Sequence, residues 1–220
     1  MIEAVIFDMD GVLVDTEPLH QRAYREALSG RVNKEIDFAR FIGRGDRECC
    51  QILISEQRLS MTPNELRERK DRKYLALLKE NIVPLPGAFE AVQAARDMNM
   101  KTAIASSSRM VEIKAIVHAL RMERMFDCLV SGDDVEKGKP APDIFLLAAK
   151  KQGKNPEGCL VVEDSPIGIK AAKDAHMIVI AIPSRETKEM DFSQADYRIG
   201  MPGFKHLLKK LSNAKTTRVS

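Results

Sequence analysis

Short, wholly apolar runs recur along this chain with helical stretches between them, and that alternation restricts the fold more than any other feature. Val-Ile-Phe at 5–7, Leu-Val-Val at 160–162 and Ile-Val-Ile-Ala-Ile at 178–182 carry no polar side chains. Strands of this composition need cover on both faces, as in parallel sheets packed between helices. The reading places strands at Ala4–Asp8, Thr102–Ser106, Cys128–Ser131, Leu160–Asp164 and Met177–Ile182, with a weaker one near Tyr197–Ile199. Helix limits fall between them. Pro142 opens a helix that stops at Gly153, and Ser165-Pro166 supplies an N-cap and a first-turn proline. The predicted architecture is a doubly wound, Rossmann-like α/β core.

One stretch breaks the alternation. From about Thr16 to Asn81 the pattern is helical throughout, and Thr62-Pro63-Asn64-Glu65 has the form of a capping box with a first-turn proline. That box should start a helix running to about Glu80. A segment of this length is too long for a crossover and too structured for a loop. It reads as a helical cap at 16–81 inserted into a core formed by 1–15 and 82–220. Pro84-Leu85-Pro86-Gly87 marks the return to the core.

Composition mainly excludes. A formal charge of +3 is too small to argue for nucleic acid, and much of the excess lies between Lys205 and Arg218, read as a solvated helix and tail. No apolar run approaches the roughly 20 residues of a membrane span, and no basic segment precedes a long apolar region as in a secretory signal. Cys49, Cys50, Cys128 and Cys159 show neither metal-ligand spacing nor a disulfide framework. The expectation is a cytoplasmic monomer with reduced thiols.

Chemistry-bearing residues follow the strands. Asp8 and Asp10 stand two apart where the first apolar run ends, at the sheet edge where α/β proteins bind ligands. Continued extension would aim both carboxylates to one side. A hairpin turn at Asp10-Gly11 is the competing account, and it leaves Asp8 unexplained. Ser106-Ser107-Ser108 follows the second strand and leads into a helix near Arg109; it suits either an anion site or plain N-capping. Lys139 sits between Gly138 and Pro140, placed more rigidly than most loop lysines, which are simply solvated. Glu163 and Asp164 precede the Ser165-Pro166 helix start. They could favour its positive end or offer the hard oxygen ligands that Mg²⁺ requires.

Taken in order, Asp8-Met-Asp10-Gly11, Ser106, Lys139-Pro140 and Glu163-Asp164 resemble the four motifs of the haloacid dehalogenase superfamily of phosphotransferases. The helical segment lies at the position of that family's first type of cap, and the chain is similar to the β-phosphoglucomutase branch and its phosphatase relatives. The resemblance implies Mg²⁺-dependent phosphate transfer through an aspartyl-phosphate on Asp8. It assigns the metal to the Asp8 carboxylate, the Asp10 carbonyl, Asp164 and Glu163, the phosphoryl oxygens to Ser106 and Lys139, and acid–base work to the Asp10 side chain. An acid at position 10 favours phosphate chemistry over dehalogenation, which has no leaving alkoxide to protonate.

The cap is read for substrate. Gly43, Arg44 and Arg47 form a loop able to meet anions, with Ser107 and Arg109 on the core side. His20 lies early in the insert, where it is either a substrate contact or a satisfied side chain. Arg67, Arg69, Lys70, Arg72 and Lys73 are expected to form an exposed face of the Pro63 helix. Asp46 and Ala76 fall where the mutase branch carries a cap arginine and a cap lysine. The expected substrate is therefore a small phosphorylated metabolite, a sugar phosphate or similar, undergoing hydrolysis, with a phosphomutase as the alternative. A receiver-like phosphoacceptor domain is a third reading, opposed by the helical insert and by Asp10.

Overall fold

The structure, a computed structural model, describes residues 1–79 and 82–213. Six strands form one parallel sheet: β1 (Ala4–Phe7), β2 (Lys101–Ser106), β3 (Cys128–Ser131), β4 (Cys159–Glu163), β5 (Ile178–Ala181) and β6 (Tyr197–Arg198), in the order β3-β2-β1-β4-β5-β6. Every strand expected from the sequence is present. The sheet grows in one direction from β1 to β3, then resumes on the other side of β1 with β4, so the winding reverses between β1 and β4. Open α/β sheets bind ligands in the crevice at such a switch point, outside the carboxyl ends of the strands.

The apolar runs are covered on both faces, and the period of two sorts them. Val5 and Phe7 join Ile104, Leu160 and Val162 in one core, with α4 (Ala88–Asp97), α5 (Met110–Ala119) and α8 (Phe204–Asn213) packed over it. Ala4 and Ile6 face the other way with Ala103 and Val161, under α6 (Asp143–Gln152) and α7 (Pro166–Asp174). The ends of α6 and α7 match their signals. Gly153 takes the left-handed conformation past α6, and the Ser165 hydroxyl accepts from the Gly168 N–H to cap α7.

Between β1 and α4 lie α1 (Glu17–Ala27), α2 (Asp46–Gln57) and α3 (Pro63–Leu77), with a third apolar cluster of their own that includes Tyr24, Leu28, Phe38, Phe41, Leu53 and Leu66. The Thr62–Glu65 capping box forms. Helix α3 ends at Leu77, short of the expected Glu80, which lies outside the described residues together with Asn81. The chain returns beside its exit: the Leu85 N–H donates to the Leu13 carbonyl at 2.9 Å. Lys205 opens the basic C-terminal stretch on α8, where Phe204 and Leu208 are buried; residues 214–220 are outside the described part.

One expectation for α3 is corrected. Its basic residues do not form a single exposed face, because Lys70 is fully buried. A lysine is buried this way only with compensating charge. Asp46 lies 2.5 Å and Glu112 3.2 Å from its Nζ.

Candidate active site

The carboxyl ends of β1, β2 and β4 meet at the switch point. Asp8 directly follows β1 and extends its ladder, its N–H donating to the Val162 carbonyl at 2.9 Å. The chain then turns at Gly11, with φ +79°. Leu13 and Val14 N–H groups donate back to the Met9 carbonyl. The turn signal and the site are thus one object. A Cβ at residue 11 would overlap the Asp164 carboxylate, so glycine here serves both the left-handed backbone and the close approach of β4's end.

Lys139 is the hub. Its Nζ donates to Asp8 Oδ1 at 2.6 Å, Glu163 Oε1 at 2.6 Å and the Ala105 carbonyl at 3.2 Å. Glu163 is held from behind: its Oε2 accepts from the Asp164 N–H, the Ser165 N–H and the Ser165 hydroxyl. Both Glu163 oxygens are thereby engaged by the protein, which suits a group that positions Lys139 and the Asp164 backbone. Asp10 carries its own shell. Oδ2 accepts from Ser108 at 2.9 Å and from Ser106 at 3.1 Å, Oδ1 accepts from Thr16, and His20 Nε2 lies 3.6 Å from Oδ1.

Burial and charge set the protonation of these groups. Burial pushes the Asp8 carboxyl up to about 8; Lys139 opposes it, while Glu163 and Asp10 add to it. Asp164 is raised by burial and then by Glu163 and Asp8. Burial alone would lower Lys139, but Asp8 and Glu163 outweigh it and hold the ammonium above the usual lysine range. For Asp10 burial is overcome in the other direction, by His20, Thr16 and Ser108, and the carboxyl lies well below its ordinary value. His20 is lowered by burial and Lys70 but raised further by Asp10 and Asp46. The proton of the Asp10–His20 pair therefore rests on the imidazole.

Asp8, Glu163 and Asp164 each place a carboxylate oxygen within 4.8 Å of the others. Ionised together, these three buried carboxyls would exceed the one ammonium by two negative charges, the excess that raises Asp8 and Asp164. An all-oxygen donor set with that excess fits a hard dication such as Mg²⁺.

A cleft opens above these residues. It brings together Asp8, Asp10, His20, Gly43, Arg44, Ser107, Lys139 and Asp164, with Tyr24, Phe38 and Phe41 on the helical side. Gly43 is one point at which the helical segment touches the core: its carbonyl accepts from Ser107 Oγ at 3.2 Å, and an added Cβ would come within 2.7 Å of Ser165 Oγ. Other predicted residues lie elsewhere. Ser106 is buried beneath the cleft, Arg47 lines a second opening beside Arg67 and Asp133, and Arg109 is paired with Asp71 and Asp133. Sequence reasoning took Ser108 only as part of a three-serine run suited to an anion site or an N-cap and assigned nothing to Thr16, whereas both hold Asp10. Ser108 was available within the three-serine run, but nothing in the run says which hydroxyl turns inward.

The profile of the haloacid dehalogenase-like hydrolase family matches residues 2–176. The phosphorylated carbohydrates phosphatase of Thermotoga maritima is 39% identical over 180 residues, covering 79% of this chain and 82% of that protein. The fructose-1-phosphate phosphatase of Escherichia coli strain K12 is 33% identical over 183 residues, covering 81% and 95%. Among solved structures, β-phosphoglucomutase from Clostridium difficile superposes with a TM-score of 0.85 at 26% identity, over 98% of this chain and 100% of that one.

Proposed function

Because the chain belongs to the haloacid dehalogenase-like hydrolase family, we propose that it hydrolyses a small phosphorylated metabolite, a sugar phosphate or sugar-alcohol phosphate, with Asp8 as nucleophile. The observation that carries this reading is the buried contact of Lys139 Nζ with Asp8 Oδ1 at 2.6 Å, inside a carboxylate cluster that faces an open cleft. In this reading residues 16–81 act as a cap over the core formed by 1–15 and 82–220.

The chemistry follows from placement. The ionised Asp8 carboxylate attacks phosphorus, one P–O bond forms, and the ester P–O bond breaks. The leaving alkoxide takes a proton from Asp10, which has first received it from the His20 imidazolium, whose Nε2 lies 3.6 Å from Asp10 Oδ1, so that Asp10 is left ionised and His20 neutral. In the second half Asp10 accepts a proton from water as the water oxygen bonds to phosphorus and the bond to Asp8 breaks, and it passes that proton back to His20. Phosphate leaves and the carboxylate is restored. Lys139 offsets the charge on the transferring oxygens throughout. The Asp8 and Asp164 carboxylates, with the Asp10 carbonyl, would hold Mg²⁺, and Glu163 would keep Asp164 and Lys139 in place. Bound there, the dication supplies neutralisation of the anionic cluster and of the phosphoryl group.

Substrate class is read from the cleft wall. Gln21, Glu17 and Asp46 can hydrogen-bond hydroxyls, and Tyr24, Phe38 and Phe41 can cover a ring or chain. A phosphomutase must also seat a second phosphate. Arg44 is engaged with Glu48 and the Arg40 carbonyl, and Arg47 faces the other opening. Hydrolysis is therefore favoured. Asp8→Asn should abolish turnover and phosphoenzyme formation with the circular dichroism spectrum unchanged; phosphate release by that variant would overturn the assignment. A screen of phosphorylated metabolites identifies the substrate.

A further inference from the structure

The chain leaves β5 beside Asp164. Glu163 pairs with Ala181 in the β4–β5 register, and the Ile182 N–H donates to the Glu163 carbonyl at 2.7 Å. The residues that follow therefore start at the same strand ends as the carboxylate cluster. They are polar and largely open to solvent: Arg185, Lys188 and Glu189 are exposed, and Ser184 and Glu186 line the cleft. Thr187 is the exception, fully buried within this charged loop. A hydroxyl closed off in that way needs a partner. The Ser184 N–H donates to Thr187 Oγ1 at 2.9 Å, the Ser184 and Thr187 hydroxyl oxygens lie 3.0 Å apart, and Thr187 Oγ1 donates to Asp164 Oδ2 at 3.5 Å. With the Ser184 hydroxyl also donating, both lone pairs of Thr187 Oγ1 are filled and its single proton is left for Asp164.

Asp164 depends on that hydroxyl in a way its neighbour does not. Glu163 Oε2 accepts from two N–H groups and a hydroxyl, and its Oε1 accepts from Lys139. No backbone N–H of the described residues donates to the Asp164 carboxylate, whose Oδ2 receives Thr187. On another side the carboxylate abuts Gly11, where a Cβ would overlap it. We propose that Thr187, supported by Ser184, is a positioning residue for metal binding: it holds Asp164 Oδ2 and leaves Oδ1 to serve as the ligand. This rests on the reading of Asp8 and Asp164 as the carboxylates that hold Mg²⁺. Thr187 acts through Asp164, as outer hydrogen-bond partners do when they orient metal-binding side chains.

The test is the affinity for Mg²⁺, titrated by calorimetry into the chelator-treated full chain with no substrate present. Thr187→Val keeps the side-chain shape and removes the hydroxyl, whereas Thr187→Ser keeps the hydroxyl. Thr187→Val should weaken Mg²⁺ binding on the order of tenfold or more, and Thr187→Ser should stay close to the parent. The Mg²⁺ concentration giving half-maximal p-nitrophenyl phosphate hydrolysis should rise by the same factor in Thr187→Val. Equal weakening in the two variants overturns the proposal, because it would mark loop packing rather than the hydroxyl. If Thr187→Val does not fold, Ser184→Ala removes the supporting hydroxyl and should weaken Mg²⁺ binding in the same direction; parental affinity there overturns the proposal. A parent that binds no Mg²⁺ rejects the metal reading and the proposal together. A parent that binds Mg²⁺ no more tightly than folded Thr187→Val rejects the proposal alone and leaves the reading of the site standing.

Discussion

Lys139→Met removes one charge from the centre of the site while nearly keeping side-chain length. The deleted ammonium lies 2.6 Å from both Asp8 and Glu163 and belongs to a side chain only 2% exposed. Removing one partner of a buried ion pair costs about 3–5 kcal/mol, because the carboxylates stay where they are poorly solvated. Two effects reduce this. Asp8, already pushed up to about 8, binds a proton readily in the variant, and the thioether can pack on Phe145, whose ring centre lies 4.9 Å from Nζ. The net loss should be about 2–4 kcal/mol, lowering Tm by roughly 4–16 °C for a chain of this size. Turnover should fall by about 10²–10³, the usual consequence of losing a donor to developing phosphoryl charge. Thermal melts by circular dichroism in chelator measure the first effect, and steady-state p-nitrophenyl phosphate hydrolysis with saturating Mg²⁺ measures the second. A Tm within about 2 °C of the parent would refute the buried-charge reasoning, and parental turnover would refute the role of Lys139.

Two further outcomes follow from the same geometry. Asp8 and Asp164 have folded-state carboxyls raised above the usual value of 3.8. The stability they contribute is therefore present below that pH and is lost as pH rises, for Asp8 through about 8. Asp10 and Asp46 are lowered, so their contribution disappears only in strong acid, outside this window. Tm in chelator should thus fall between about pH 4 and 8, and saturating Mg²⁺ should flatten the fall; a chelated protein that gains stability over that range contradicts the assignment. Gly11→Ala forces a Cβ into the Asp164 carboxylate at φ +79° and should cost about 1–3 kcal/mol and most Mg²⁺-supported turnover; parental activity in that variant would show that the turn is not needed to shape the site.

Asp8, Lys139, Glu163 and Asp164 could be grouped before any coordinates because a parallel sheet sends all its strand ends to one edge. Asp8, Glu163 and Asp164 lie at or just beyond runs legible as strands, and Lys139 lies in the loop that follows β3, so fold class brings them toward the same edge. The three serines mark the limit of that logic. Ser106 and Ser108 both turn onto Asp10, while Ser107 reaches the Gly43 carbonyl. That division depends on how the loop leaves β2 and on where the helical segment docks.

Local physics determined what the sequence by itself could tell: apolar runs, a capping box, first-turn prolines and a terminating glycine each act within a few residues, and they suffice for the sheet, the helices and the edge where chemistry gathers. The tertiary structure decided the partners. Lys139 and Asp8 are 131 residues apart, Lys70 and Glu112 are 42, and Arg109 and Asp71 are 38. A basic residue on an amphipathic helix reads as solvated until packing shows that carboxylates from other elements close over it, as they do at Lys70. Charge compensation in a buried place is a property of the assembled chain, because only folding removes the water that would otherwise screen each group alone.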